Sequence, residues 1–348
     1  MFYASALIIK IIKRMITMAR KKKNILIANV EYYSARLGIF FVSFVPLTVA
    51  YCFSGIFCRI LFAVDAKHRK RTVSHILHAG ITSEYKKARK IALANFIHLG
   101  KVAVEFIKIK QLLNPQTVKD HVTFTISEEA KEALKHPNGT VCASAHYGNW
   151  ELSGLSVSLF FRALDSVGRN MDNPKLNKYI FAKRNAFGGT SYPKNGALKK
   201  LLMSLRTKKA LGILIDQHAG GDEGIDTMFF SHPAKTHASP ALLHLRTGAP
   251  LLLIVSRRLD NKFHYELLIR GPFTVVPSGD KNKDIQSITQ QINDEFEKIV
   301  AECPEQWLWE HRRWLNIDRR ETGDFKEYIV RHPEYEDRQN LASVVSNC

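Results

Sequence analysis

The chain has 348 residues, with 51 lysines and arginines against 32 aspartates and glutamates, a net charge of +19 with histidine neutral. That length buries a sizeable core and leaves room for one large domain plus an appendage, and 45% hydrophobic residues exclude a disordered or fibrous chain. The positive charge is unevenly placed: residues 1–120 carry 21 basic and 5 acidic side chains, residues 121–348 carry 30 and 27. The basic third is also the most apolar, a combination that fits an anionic membrane surface and argues against nucleic acid as a partner. Five cysteines (52, 58, 142, 303 and 348) show no paired spacing, so reduced, cytosol-facing thiols are expected.

Residues 1–18 mix Ile, Leu and Met with Lys10, Lys13 and Arg14 and run into Arg20 to Lys23, which reads as an interfacial basic helix or an extension without a cleavable signal. Residues 37–58 (LGIFFVSFVPLTVAYCFSGIFC) hold no charge and are long enough to span a bilayer or to dip into one leaflet. Basic residues flank both sides, so the run sets no orientation. Residues 82–111 predict a helix with Ser83 as cap and one apolar face through Ile91, Leu99, Val102 and Phe106. From about residue 121 strands and helices alternate. A helix over 127–135 leads to a strand over 140–145, and a strand through Val167 precedes a helix capped by Asn173 with Pro174 at its first position. A helix over 195–207 and a strand over 210–215 follow. The rest reads as a helix over 239–247, strands over 250–256 and 263–270, and a helix over 284–303. That alternation predicts an α/β fold, a mostly parallel central sheet flanked by helices, with an N-terminal helical membrane-attachment segment. The expected organisation is a basic extension at 1–28, a membrane-anchoring segment at 29–72, the α/β domain at 73–316 and a charged tail at 317–348.

In open α/β sheets reactive groups collect beyond the carboxyl ends of the strands. Three predicted strand ends carry such groups: His146 with Glu151, Arg169 with Asn170, and Asp216 with Gln217. In AHYGNWE (145–151), Gly148 lets the backbone turn, Asn149 is a helix N-cap, and His146 and Glu151 can meet only across that turn. A histidine whose ring is held by a carboxylate is how a general base is built. Arg169 offers a rigid fork of donors to a phosphate or an oxyanion, shared with backbone amides near Gly148. Asp216 binds substrate or orients Arg169 or Arg184. Cys142 and His146 form a single C-x3-H with no second pair, so no metal site is expected. No Gly-rich phosphate loop, HExxH or G-x-S-x-G is present. The simplest mechanism is direct attack by a substrate group that His146 deprotonates.

These residues carry a resemblance. AHYGNWE resembles the H-x4-(D/E) signature of the late lipid A biosynthesis acyltransferases, the lauroyl/myristoyl transferase family. The likeness extends through GRNMDNPKLNKYIFAKR (168–184), the strand end at 212–217, MFFSHPAKTHASPALLHLRTGAPLL (228–252) and PEQWLWEHRRW (304–314), with Ser231 standing where a glycine is usual. It implies a glycerolipid-acyltransferase-like fold and an inner-membrane enzyme whose catalytic domain faces the cytoplasm. It implies transfer of a fatty acyl group from acyl carrier protein, or from coenzyme A, to a hydroxyl of a lipid A precursor or related glycolipid, with no bound cofactor. His146 is then the base, Glu151 its orienting carboxylate, and Arg169, Asn149, Asn170, Arg184, Asp216 and Gln217 the oxyanion and substrate contacts. The alternatives are an acyltransferase acting on another glycolipid or a phospholipid, and a basic membrane-binding protein without catalysis.

Overall fold

The computed structural model describes residues 25–315 apart from positions 114, 115, 117, 169, 186, 187 and 195, with the side chains of 25, 26 and 222 also left out. Most of the expected N-terminal extension, all of the charged tail and Arg169 lie outside the described residues.

Among the described residues four helices come first: α1 (Ile25–Phe44), α2 (Leu47–Val64), α3 (Ala66–His78) and α4 (Tyr85–Leu112). The uncharged run over 37–58 is therefore not one helix. Pro46 has no amide hydrogen to continue the ladder, and α2 begins directly after it. α4 starts at Tyr85 with Glu84 in the cap position and no side-chain cap, so the expected role of Ser83 is not realised. α2 runs antiparallel to α4 because their side chains meet in reverse order, Tyr51 with Glu105 and Phe62 with Phe96. Gly100 lets them approach: a Cβ there would lie 2.4 Å from the Cys58 sulfur and 2.5 Å from the Ser54 hydroxyl. Among the described residues only α2 is long and apolar enough to cross a membrane. Its buried face (Ala50, Tyr51, Cys58, Phe62) packs on protein, while Phe53, Ile56, Phe57, Ile60 and Val64 point outward. α1 presents a matching stripe through Tyr33, Leu37, Phe40, Phe41 and Phe44.

The α/β part comprises β1 (Val122–Thr125), α5 (Glu128–Leu134), β2 (Thr140–Ser144), α6 (Trp150–Phe160), β3 (Leu164–Gly168), α7 (Pro174–Arg184), β4 (Ser191–Pro193), α8 (Ala197–Arg206), β5 (Ala210–Leu214), β6 (Gly224–Phe229), β7 (His232–His237), α9 (Ser239–Thr247), β8 (Leu251–Arg258), β9 (Tyr265–Arg270) and α10 (Lys281–Glu302). Seven strands form one sheet in the order β1-β9-β8-β2-β5-β3-β4. Every pairing in it is parallel except β8 with β9, so the expected mostly parallel sheet is present. The alternation of β2 puts Val141 and Ala143 against helices α8 to α10, and Cys142 against α5 and α6. β6 and β7, which the sequence pattern does not announce, make a separate antiparallel hairpin. Its two turn residues, Phe230 and Ser231, both have positive φ, 50° and 60°, which is the backbone a two-residue hairpin turn requires and the reason glycine suits position 231.

Candidate active site

β2 and β5 pair in parallel with Thr140 opposite Ala210 and Ser144 opposite Leu214. The same offset, carried two residues past each strand, sets His146 opposite Asp216. His146 Nδ1 lies 2.9 Å from Asp216 Oδ1, and the His146 amide donates to Oδ2 at 3.0 Å. The Trp307 indole Nε1 donates to the same Oδ2 at 2.9 Å. Burial works to raise the Asp216 pKa, but the His146 ring, the indole and the amide overcome it and hold the carboxyl well below its ordinary range. An ionised carboxylate can only accept, so the proton of His146 is assigned to Nδ1, leaving the Nε2 lone pair free. His146 lines the cavity described below.

Glu151 does not hold the ring. Asn149 caps α6 by accepting from the Leu152 amide at 3.0 Å, and Glu151, in the first turn, is engaged by Arg184 of α7. Arg184 Nε donates to both Glu151 oxygens, at 3.1 and 2.9 Å, and its Nη2 donates to Oε1 at 2.5 Å. Burial disfavours the guanidinium charge, and Glu151 more than restores it. The carboxylate facing His146 therefore comes from the neighbouring strand and not from the following helix.

Three amides of the turn between them are already engaged. Gly148 has φ +55°, and a Cβ on it would lie 1.5 Å from the Ser256 carbonyl oxygen, so no other residue fits. The amide of Tyr147 donates to Ala145 O, that of Gly148 to Gln306 O, and that of Asn149 to Ser256 Oγ. These three amides are therefore not free to bind an oxyanion, so the expected share of backbone amides near Gly148 does not fall to them. Asn149 is also fully buried, its Nδ2 donating to Glu105, so it positions the turn and does not line the cavity. The ring of His98, kept neutral by burial with a pKa of about 3, bonds the Gly148 carbonyl at 3.1 Å.

Beside His146 stand the Trp150 ring, 5.1 Å away edge-on, and the His311 ring at 5.0 Å. Gln217 Nε2 lies 2.9 Å from His311 Nε2, the amide donating to the ring nitrogen. Asn170 is exposed just past β3. The structure thus gathers His146, Asp216 and Gln217 at one place, with Glu151 and Arg184 on the wall of the same cavity. Trp307, His311 and His98 belong to the site and escape a reading by strand ends, because they lie on a closing segment and a helix far away in sequence.

The cavity measures about 680 Å³. It wraps around the carboxyl edge of the sheet, and β5 shows this directly: Ala210 and Leu211 are buried, while Gly212, Ile213 and Leu214, which alternate between the two faces, are all partly open. On the α6 side it is lined by Cys142, Gly154, Leu155, Leu164 and Ile254. On the other side it is lined by Val167, Ala197, Leu201, Ile213 and Leu242. Burial pushes the Cys142 thiol up to about 12, so it is no competing nucleophile.

A histidine held by a buried carboxylate, at the edge of an apolar cavity on a mostly parallel sheet, is an arrangement able to take a proton from a group on a substrate that bears hydrocarbon. The sequence profile described as "Bacterial lipid A biosynthesis acyltransferase" matches residues 18–316, and the chain belongs to that family. Among curated relatives it is 26% identical over 189 residues to a "Phosphatidylinositol mannoside acyltransferase" of Mycobacterium tuberculosis, covering 53% of this chain and 57% of that one. It is 24% identical over 190 residues to the protein so named in Mycolicibacterium smegmatis, covering 53% and 59%. The chain thus spans somewhat over half the length of the relatives it matches.

Proposed function

We propose that the protein is a membrane-bound O-acyltransferase that moves a fatty acyl chain from a thioester, on acyl carrier protein or coenzyme A, to a hydroxyl of a lipid A precursor. The observation that carries this reading is the His146–Asp216 pair at the edge of the apolar cavity. A hydroxyl is a weak nucleophile at neutral pH. His146 Nε2 takes its proton as the oxygen attacks the thioester carbonyl, and Asp216 stabilises the imidazolium that forms. The tetrahedral oxyanion collapses, the carbon–sulfur bond breaks, and the imidazolium returns its proton to the departing sulfur. The products are an ester and a free thiol. Arg169, next in sequence to the cavity-lining Gly168, is the proposed donor to the oxyanion, together with Gln217, whose second amide hydrogen is not used by His311. Arg184, held by Glu151, is the proposed contact for the acceptor's polar group.

The exposed apolar stripes of α1 and α2 support attachment to a membrane, and Arg59, Arg69 and Arg89 near the end of α2 suit anionic headgroups. The proposed setting is the inner membrane with the site on the cytoplasmic side. The names of the curated relatives favour a second reading, in which the acceptor is a mannosylated phosphatidylinositol or another glycolipid. Incubating the purified protein with acyl-carrier-protein and coenzyme A thioesters and each acceptor, then weighing the products, tests both. Gain of one acyl mass on the lipid A precursor is expected. Acylation of the mannolipid alone would select the second reading, and no ester with any pair would end both.

A further inference from the structure

We propose that the cavity holds two hydrocarbon chains at once on opposite faces of the sheet: the donor's acyl chain in the lobe under α6, and a chain of the acceptor lipid in the lobe between α8 and α9. The assignment rests on the acyl-transfer reading above.

Register separates the lobes. Cys142 pairs with Gly212, and Gly212 with Ser166, so these three side positions share the α6 face. Ile213 pairs with Ala143, one step along, and faces α8 and α9 with Val167. No side chain of the sheet can line both. The single cavity therefore consists of two apolar compartments that meet at the strand ends, where His146 and Gln217 stand.

The compartments differ in access, and that difference decides which chain each takes. The α6 lobe is the more enclosed: Cys142 is 1% exposed, Ile254 2% and Leu155 4%, Gly154, Ser158 and Leu164 are partly open, and none of its lining residues is fully exposed. The more enclosed apolar lobe suits an acyl chain that enters whole. The opposite lobe reaches the surface at α8, where Leu198 both lines it and is 50% exposed. Met203 on the same helix is 59% exposed, Lys199 and Lys200 are exposed beside them, and Lys194, paired with Glu223 at 2.7 Å, lines the lobe. An open apolar lobe with a basic rim suits a chain that remains attached to a larger body outside, with the lysines toward an anionic headgroup. A lipid acceptor offers that chain. The carrier of the donor does not, because its own chain is already placed.

The test uses the full protein with acyl-coenzyme A donors of graded length and, as acceptors, alkyl glycosides of graded alkyl length kept below their micellar concentrations. In the unaltered protein, KM for the glycoside should fall as its alkyl chain lengthens, by about tenfold or more across the series. Leu198→Glu, at an exposed position that folding tolerates, and Leu242→Trp, which fills the open lobe, should each flatten that series and leave the preferred donor length unchanged. Gly154→Leu should do the reverse. A Cβ at Gly154 meets only Leu164 Cδ2 at 3.6 Å, so a longer side chain grows into the more enclosed lobe, shortening the preferred donor while sparing the glycoside series. A flat glycoside series in the unaltered protein would overturn the two-chain assignment while leaving acyl transfer intact, as would a shift of donor length in Leu198→Glu. If no ester forms at all, the transfer reading fails, and the lobes are judged from binding of dodecyl glycoside by the fluorescence of Trp150. Weakened binding in Leu198→Glu but not in Gly154→Leu supports the assignment, and the opposite pattern refutes it.

Discussion

His311 shows how the site sets the state of a side chain that no motif singles out. Burial and the neighbouring His146 ring, with Arg71, lower its pKa from 6.5 to about 4, against the pull of Asp216. The unfolded chain therefore binds more protons than the native one between those two values, and the His311 share of stability is lost as pH falls through that window. His311→Gln should flatten the acid side of the stability profile, read as the denaturant midpoint at pH 7 and at pH 5. An unchanged difference between the two midpoints would contradict this. The residues of the dyad divide the same way. His146 stands out in sequence by following an apolar strand, and Asp216 by following another, so both were visible as strand-end groups. That they face each other was not, because it depends on a strand register that sequence leaves open. The spacing of His146 and Glu151 suggested a nearer partner, and the Arg184 guanidinium, from a helix 33 residues on, claims that carboxylate.

Elements are tied together by one carboxylate. Glu105, fully buried on α4, accepts from Tyr51 of α2, from Tyr265 of β9 at 2.6 Å, from Arg258 of β8 at 2.6 Å, and from Asn149 at the cap of α6 at 2.8 Å. Removing one member of such a buried set leaves the rest uncompensated, Arg258 above all. Glu105→Ala should lower stability by roughly 3–5 kcal/mol in denaturant unfolding. A loss below about 1 kcal/mol would show that the network holds nothing together. The helices and strands themselves were largely legible: the cap at Asn173, the proline after it and the helix Ser239–Thr247 come directly from local chemistry. The break at Pro46 was readable too, but the lack of charge over 37–58 outweighed it. The β6–β7 hairpin was not, since His232–His237 has no apolar alternation and pairs through backbone bonds.

At the scale of the whole molecule, a sheet edge collects His146, Asp216 and Gln217 while helices α1 and α2 turn an apolar surface outward. Asn173 of α7 donates to the Ala28 carbonyl of α1 at 2.7 Å, and the Arg36 guanidinium lies over the Tyr179 ring, so the apolar helix is fastened beside the helix that carries Arg184. Composition announced the basic, apolar N-terminal third, and strand order placed the chemistry. Neither exposed the cavity, which depends on how Gly212 and its neighbours are left uncovered by the helices.

The His146–Asp216 pair is the most direct point of test. The measurement is kcat for acyl transfer by the unaltered protein, His146→Ala, Asp216→Asn, the double variant and Glu151→Gln, each checked for native folding. Asp216→Asn and His146→Ala should each lose roughly 10²–10⁴-fold. The double variant should lose no more than His146→Ala alone, because the two residues act as a unit. Glu151→Gln should act mainly on KM for the acceptor. Full activity in Asp216→Asn, with the loss transferred to Glu151→Gln, would contradict the account.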